Sequence, residues 1–258
     1  MQSGQHVATN LATAERLVEQ AAGQGASLVV LPELFACLGS YASVVASAES
    51  IPGPTSGRLA SLSARLSITL VAGSIAEVAE PGKAYNTSLV FGPDGTLLSA
   101  YRKIHLFDLD LPSVTSRESS FIAPGSEVCV ARSPLGPLGL AICYDLRFPE
   151  LFRLLVDRGA QLIAIPSAFT RATGKDHWEI LIRARAIENQ AYVLAANQWG
   201  EHPPDMHSFG HSAIIGPWGD VLAQLDEGEA VALAEIDVEH LLLARRRLPA
   251  LSHRKPLK

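Results

Sequence analysis

The chain has 258 residues, 48% of them hydrophobic and 18% charged, with a formal net charge of −5 and a pI near 5.9. That balance excludes a disordered chain and the basic footprint of a nucleic-acid binder, and no apolar run approaches the ~20 residues of a membrane span. Three cysteines are too few and too scattered for a disulfide framework; with no signal peptide in view they point to a reducing, cytoplasmic setting.

The length suits one α/β domain over residues 1–258 with a substantial buried core. An amphipathic helix is expected over about 11–23. It leaves Met1-Gln2-Ser3-Gly4 as a stub where an apolar strand would ordinarily stand. Either the fold dispenses with that strand or the true start lies upstream. Residues 28–31 then form a continuous apolar run, as expected of a strand covered on both faces, and lead into Pro32-Glu33-Leu34-Phe35. Glu33 therefore places a carboxylate in an apolar stretch, which is costly unless it is paired or protonated. A capping role is the alternative. Cys37 reads as packing.

A helix over about 55–66 and an apolar strand over 69–73 follow. A hairpin then turns through Gly92-Pro93-Asp94-Gly95 and ends in Tyr101-Arg102-Lys103. Strand alternation sends Arg102 and Lys103 to opposite faces, so one points inward and needs an anion there. Taken singly, Lys103 reads better as a surface ion pair. Cys129 reads as structural. The apolar run 139–142 ends abruptly in Cys143, beside a helix-like segment over about 149–158. The partial positive charge of a helix N-terminus would favour a Cys143 thiolate, whereas a lone cysteine at a strand end is more often a small buried hydrophobe than a nucleophile.

The second half repeats the first. Residues 25–35 (GASLVVLPELF) align without gaps to 159–169 (GAQLIAIPSAF), and 88–95 (SLVFGPDG) match 212–219 (SAIIGPWG). The first of these second-half segments contains a strand over 162–165, and a helix over about 177–190 and a strand over 191–196 lie between the two. Glu33 has Ser167 as its repeat-mate, so the scaffold itself demands no acid there. His105 reads as packing or as a residue that supports the catalytic strand from behind. His177, His202, His207 and His211 lack the paired spacing of a zinc site, so no metal is expected. The basic cluster of Arg245, Arg246 and Arg247 with His253, Arg254 and Lys255 reads as a solvated face or subunit contact.

Three segments together, LPELF (31–35), YRKIHLFD (101–108) and GLAICYDLRFPE (139–150), resemble the carbon–nitrogen hydrolase (nitrilase) superfamily, in that family's order of Glu, Lys and Cys. The resemblance runs from about residue 9 to the C-terminus. It implies a four-layer αββα sandwich with an internal pseudo-twofold repeat, paired through its outer helices as a homodimer. That family's chains open with a strand, so the stub at Met1 is a departure that a mis-assigned start would explain. The implied chemistry is a cofactor-free cysteine amidase: Cys143 attacks an amide carbonyl, Glu33 is the general base, and Lys103 with the Tyr144 N–H stabilises the oxyanion. The resemblance also implies that Glu118 orients Lys103 or the substrate.

Finer segments, PSAFT (166–170), HWE (177–179), RARAIENQ (183–190), SFGHS (208–212) and the tail RRLPALSHR (246–254), resemble the branch of small amidases. The implied substrate is a linear amide bearing a carboxylate, deaminated glutathione first, with α-ketoglutaramate, an N-carbamoyl amine or a simple aliphatic amide as alternatives. Arg147, or backbone donors near Phe169 and Thr170, would recognise the carboxylate. Arg147 reads equally as half of a structural ion pair. The non-enzyme alternative is an inactive scaffold subunit.

Overall fold

The computed structural model describes residues 1–111 and 114–255. The first half runs α1 (Val7–Gly23), β1 (Leu28–Val30), α2 (Tyr41–Ala46), α3 (Pro54–Leu66), β2 (Thr69–Val71), β3 (Ile75–Val78), β4 (Ala84–Phe91) and β5 (Leu97–Arg102). A hairpin, β6 (Asp108–Leu111) and β7 (Val114–Arg117), a 3-10 turn at Glu118–Ser120 and the short β8 (Ile122–Ala123) lead out of it. The second half runs β9 (Val130–Ser133), β10 (Gly136–Leu140), a 3-10 turn at Cys143–Arg147, α4 (Pro149–Asp157), β11 (Leu162–Ala164), α5 (Arg171–Asn189) and β12 (Tyr192–Ala195). Then come the hairpin β13 (Trp199–His202) and β14 (Met206–Phe209), β15 (Ala213–Ile215), β16 (Val221–Gln224) and α6 (Val238–Arg247).

The repeat read in the sequence is a repeat of topology. In one sheet β1 pairs with β2 in parallel, and β2–β4 and β4–β5 are antiparallel. In the other, β11 pairs with β12 in parallel, and β12–β15 and β15–β16 are antiparallel. Both matching turns close alike: Gly95 N–H donates to Gly92 O at 2.8 Å and Gly219 N–H to Gly216 O at 2.9 Å. Gly95 (φ +81°) and Gly219 (φ +88°) occupy the left-handed region there, which a side chain would disfavour. In the second half β10 lies parallel to β11, whereas the matching edge of β1 carries no strand among the described residues. Met1–Gly4 instead reaches across the halves, with Met1 O accepting Trp199 N–H and Ser3 Oγ donating to Phe35 O.

Strand alternation sets the layers. Leu70, Leu89 and Phe91 pack with Leu11, Leu17 and Val18 of α1 and Leu59 and Leu62 of α3. Their neighbours Val71 and Val90 turn the other way and join Leu138, Leu140, Ile163 and Val193 of the second sheet. Trp178 and Ile182 of α5 and Phe152 of α4 close that core from outside. The result is helices, sheet, sheet, helices. Burial rather than local propensity holds α1: its N-cap His6 makes no capping bond and its first turn carries no acid. Each fully buried Leu or Val contributes about 1.5–3 kcal/mol.

Helix α5 starts six residues earlier than its pattern suggests. Its first turns (RATGKD) are polar and contain Gly174, but that glycine is where hairpin β13–β14 crosses: a Cβ there would meet Phe209 Cβ and Cγ at 2.5 Å. The C-terminal basic cluster divides. Arg245 turns inward to donate to Gln190 O and Ala160 O, and Arg254 pairs with Asp157 on the surface, so only part of the cluster is a solvated face. No helix among the described residues is long and apolar enough to cross a membrane.

Candidate active site

The chain past β1 turns through Pro32 and presents Glu33 where the two halves meet. The repeat-related segments touch there: Glu33 N–H points to Ser167 O (3.4 Å), and Ala168 N–H donates to Glu33 Oε2 (2.9 Å). Glu33 Oε1 accepts from Asn86 Nδ2 of β4 at 2.8 Å and from Lys103 Nζ at 2.9 Å. Lys103 is the first residue beyond β5. It turns inward while Arg102 turns outward to Glu77, as alternation requires. Its ammonium also donates to both oxygens of Glu118 at 3.0 Å. Glu118, from the turn after β7, is further anchored by the Phe107 N–H. Glu33, Lys103 and Glu118 are each 4% exposed or less.

Cys143 completes the cluster from the second half. It begins the 3-10 turn with φ +46°, a conformation that a non-glycine residue keeps only where its surroundings over-determine it. Its N–H donates to Pro166 O at 2.9 Å and that of Asp145 to Ile142 O at 3.0 Å. The Tyr144 N–H between them has no acceptor among the described residues, so it is free to meet an oxygen drawn to the thiol.

Electrostatics correct one expectation. The thiol of Cys143 is pushed well up by burial and then by the Glu33 carboxylate, with Lys103 offsetting only part. A short 3-10 turn precedes α4, and its few N–H dipoles do not overcome that. The resting residue is a thiol facing a carboxylate, not a preformed thiolate. For Lys103, burial alone would favour loss of its proton, but Glu118 and Glu33 outweigh it and hold the ammonium firmly charged. Burial pushes the Glu118 carboxyl up, opposed by Lys103 and reinforced by Glu33.

The cluster opens into a cavity of about 640 Å³. Tyr41, hairpins β6–β7 and β13–β14 and the first turn of α5 all contribute to its lining. Arg147 stands on its wall, 5.0 Å over the Phe169 ring and 5.7 Å from that of Tyr144, with its guanidinium 3.3 Å from His177 Nδ1. Among the described residues no carboxylate pairs with Arg147, so the structural ion pair is not what holds it; His177 and the two rings are its neighbours. Thr170 lines the cavity with its hydroxyl 3.0 Å from that of Thr173. Phe169 does not donate its backbone, because that N–H is spent on Asn197 Oδ1 at 2.8 Å; its ring is what it offers.

Two residues escaped the sequence reading. Asn86 lies in a buried polar run of β4 (Asn86-Thr87-Ser88), an anomaly for a central strand that could have marked it. Gln198, fully buried, donates from Nε2 to Glu33 O (3.1 Å) and Ser3 Oγ (2.8 Å). The histidines scatter: His105 bonds Asp145, His202 bridges Ser3 O and Ser208, His211 stacks on Phe209, and His207 lies by Arg171. Cys37 is buried beside Gln5 O and Ser43 O, and Cys129 lies near Ala100 O.

A buried thiol, a carboxylate in contact with it, a cation and a free N–H are the parts of nucleophilic acyl transfer. The comparisons agree with that chemistry. Residues 2–246 match the carbon-nitrogen hydrolase family model. The chain is 42% identical to the omega-amidase of Danio rerio over 96% of its own length and 90% of that protein's. It is also 42% identical to the deaminated glutathione amidase of Synechocystis sp. PCC 6803, over 98% of this chain and 95% of that one. The crystal structure of the C. elegans NitFhit protein superimposes with a TM-score of 0.91 at 39% identity, covering 99% of this chain, which spans 63% of that larger one. The chain belongs to the carbon–nitrogen hydrolase family of the nitrilase superfamily, and it is a hydrolase of carbon–nitrogen bonds other than peptide bonds.

Proposed function

We propose that this amidase, acting as one catalytic unit over residues 1–258, hydrolyses deaminated glutathione to cysteinylglycine and 2-oxoglutarate through a thioester on Cys143. The observation that carries the reading is the buried Glu33–Lys103–Glu118 array against the Cys143 thiol, below a wall bearing Arg147, which has no carboxylate partner among the described residues. Glu33 takes the thiol proton as sulfur attacks the amide carbonyl. The oxyanion forms between the Lys103 charge and the Tyr144 N–H. Glu33 returns the proton to the departing nitrogen, releasing the amine and leaving the thioester. It then removes a proton from water, whose attack re-forms the oxyanion. Collapse frees the acid, and the proton goes back to sulfur. Glu118 holds Lys103 in place throughout. The chain supplies every group used in these steps, so the mechanism is cofactor-free.

Arg147, over the Phe169 ring and near the Thr170 hydroxyl, receives the carboxylate of the acyl part. The cavity exceeds what a five-carbon amide needs, and a second cation, Arg171, stands on its lining beside His207. Both features favour the longer amide over α-ketoglutaramate, which shares the head and serves as a poorer substrate. Leu154 on α4 and Ile180 and Ile187 on α5 stand in solvent on two packed outer helices, which supports a homodimer through that face.

The experiment incubates pure protein with deaminated glutathione and follows cysteinylglycine, with Cys143→Ala in parallel. Turnover well above that of α-ketoglutaramate, lost in the variant, is the expected result. Folded protein that turns over neither would overturn the substrate and send the search to N-carbamoyl amines, aliphatic amides or an inactive scaffold.

A further inference from the structure

One fully buried carboxylate beside the nucleophile takes no part in the mechanism above. Asp145 is 0% exposed and accepts four hydrogen bonds from two stretches of chain, residues 101–105 and Ile142. Its Oδ2 takes the Tyr101 hydroxyl at 2.6 Å and the Ile142 N–H at 2.8 Å. Its Oδ1 takes the His105 N–H at 3.0 Å and lies 2.7 Å from His105 Nδ1. Tyr101 and His105 flank Lys103 on either side. Ile142 precedes Cys143, and Asp145 itself follows Tyr144.

We propose that Asp145 is a positioning residue that fixes the separation between the two oxyanion donors, the Lys103 ammonium and the Tyr144 N–H. The proposal rests on the oxyanion roles given to those two groups. Lys103 is tied to the first sheet, its N–H donating to Asn86 O at 2.9 Å and its carbonyl accepting the Gly125 N–H at 2.8 Å. The turn at Cys143 belongs to the second half, so the distance between the two donors depends on contacts that join the halves. Cys143 keeps a left-handed conformation that relaxes unless its neighbours enforce it. A single rigid carboxylate bonded to both stretches supplies the restraint. Burial, and then the Asp145 charge, push the Tyr101 phenol well above its ordinary value, so it stays a donor. Packing runs the same way: the His105 ring stacks on Phe148 at 3.7 Å, and Phe148 meets Tyr144 edge-on at 5.4 Å. Small displacements of oxyanion donors weaken the transition state far more than the bound substrate.

Asp145→Asn keeps the shape but turns one acceptor face into a donor facing other donors. It is expected to lower kcat about 10- to 100-fold per titrated thiol with KM within about twofold. Glutaric semialdehyde, which adds reversibly to the Cys143 sulfur and places an oxyanion between the same donors, should lose affinity in parallel, while glutarate should not. A merely structural role would lower the titre of reactive thiol and leave aldehyde affinity per site unchanged. Tyr101→Phe, which deletes one hydroxyl, settles the matter if the first variant fails to fold: a roughly 3- to 10-fold loss of kcat and aldehyde affinity is expected. Wild-type kcat and aldehyde affinity in Tyr101→Phe, or a change confined to KM in either variant, would overturn the proposal. The aldehyde has no leaving group, so a wrong choice of amide leaves this readout intact.

Discussion

Lys103 Nζ lies 2.9 Å from Glu33 Oε1, and the two side chains are 2% and 5% exposed. An ion pair this deep is poor evidence for stability, because desolvating both charges offsets most of their attraction. Its value lies in what it does to the thiol beside it. Burial, reinforced by Glu33, holds Cys143 protonated; Lys103 holds Glu33 in place, and Glu118 and Asn86 keep both from turning.

Replacing Glu33 therefore moves the thiol in a defined direction. In Glu33→Gln the carboxylate that helps burial to raise the Cys143 thiol is gone, and Lys103 remains. The midpoint for alkylation of Cys143 by iodoacetamide should fall to lower pH. Amide turnover should drop by roughly 10³-fold or more, since the proton relay is lost. An alkylation profile unmoved or shifted upward would contradict the arrangement described.

The same raised thiol links stability to pH. A cysteine whose folded value lies above its ordinary value of about 8.5 binds a proton in the native state that the unfolded chain has released. Its contribution is complete below about pH 8.5 and is lost as pH rises toward the folded value. The raised Lys103 acts in the same sense from about pH 10.4 upward. Wild-type Tm should fall between about pH 8.5 and 10 more steeply than that of Cys143→Ala. Thermal melts of the two proteins across that window check it, and equal slopes would count against a buried neutral thiol.

Gly174 gives a prediction about packing. In a helix interior, Gly→Ala ordinarily stabilises by about 0.5–1 kcal/mol. Here the new methyl would meet Phe209 Cβ and Cγ at 2.5 Å, atoms close to the β14 backbone rather than a flexible side-chain tip. Overpacking of this kind costs about 1–3 kcal/mol, so the net change should be destabilising. Because the same hairpin carries Met206 and His207 into the cavity, KM should rise with it. Urea unfolding of Gly174→Ala measures the first effect and steady-state kinetics the second.

What the sequence conveyed and what it withheld divide along physical lines. The strands 28–31 and 162–165 were legible because a sheet covered on both faces leaves continuous apolar runs. Glu33 and Lys103 were suspicious because a charge amid apolar residues demands a partner. The hairpins β6–β7 and β13–β14 were not read, since segments such as DLDL and WGEH carry no apolar run that announces a strand. The state of the Cys143 thiol was misread for a related reason. The following helix is local and visible in the chain, whereas the approach of Glu33, more than a hundred residues away in the sequence, belongs to the fold. Gln198 holds the site through long-range hydrogen bonds that no local pattern encodes, whereas Asn86 leaves a trace only as part of a polar run in a central strand.

The two cations on the cavity wall yield the sharpest test of substrate. Arg147 lacks a carboxylate partner among the described residues and is stacked on Phe169, so it is oriented without being neutralised. Arg171 is about half exposed and has Glu227 at 3.4 Å, a long surface pair worth little. Arg147→Met should raise KM about 10- to 100-fold for both deaminated glutathione and α-ketoglutaramate, because a charge-assisted hydrogen bond contributes about 1.5–3 kcal/mol and both amides carry the same acyl head. Arg171→Ala should weaken only the longer amide, whose cysteinylglycine portion ends in a second carboxylate that α-ketoglutaramate lacks. The loss should be smaller, near threefold to tenfold, since an exposed guanidinium acts in high dielectric. Steady-state kinetics of both variants on both amides give four ratios. A uniform effect of Arg171→Ala on the two would mean that Arg171 shapes the cavity without meeting the leaving group. No effect of Arg147→Met on either would remove the carboxylate assignment.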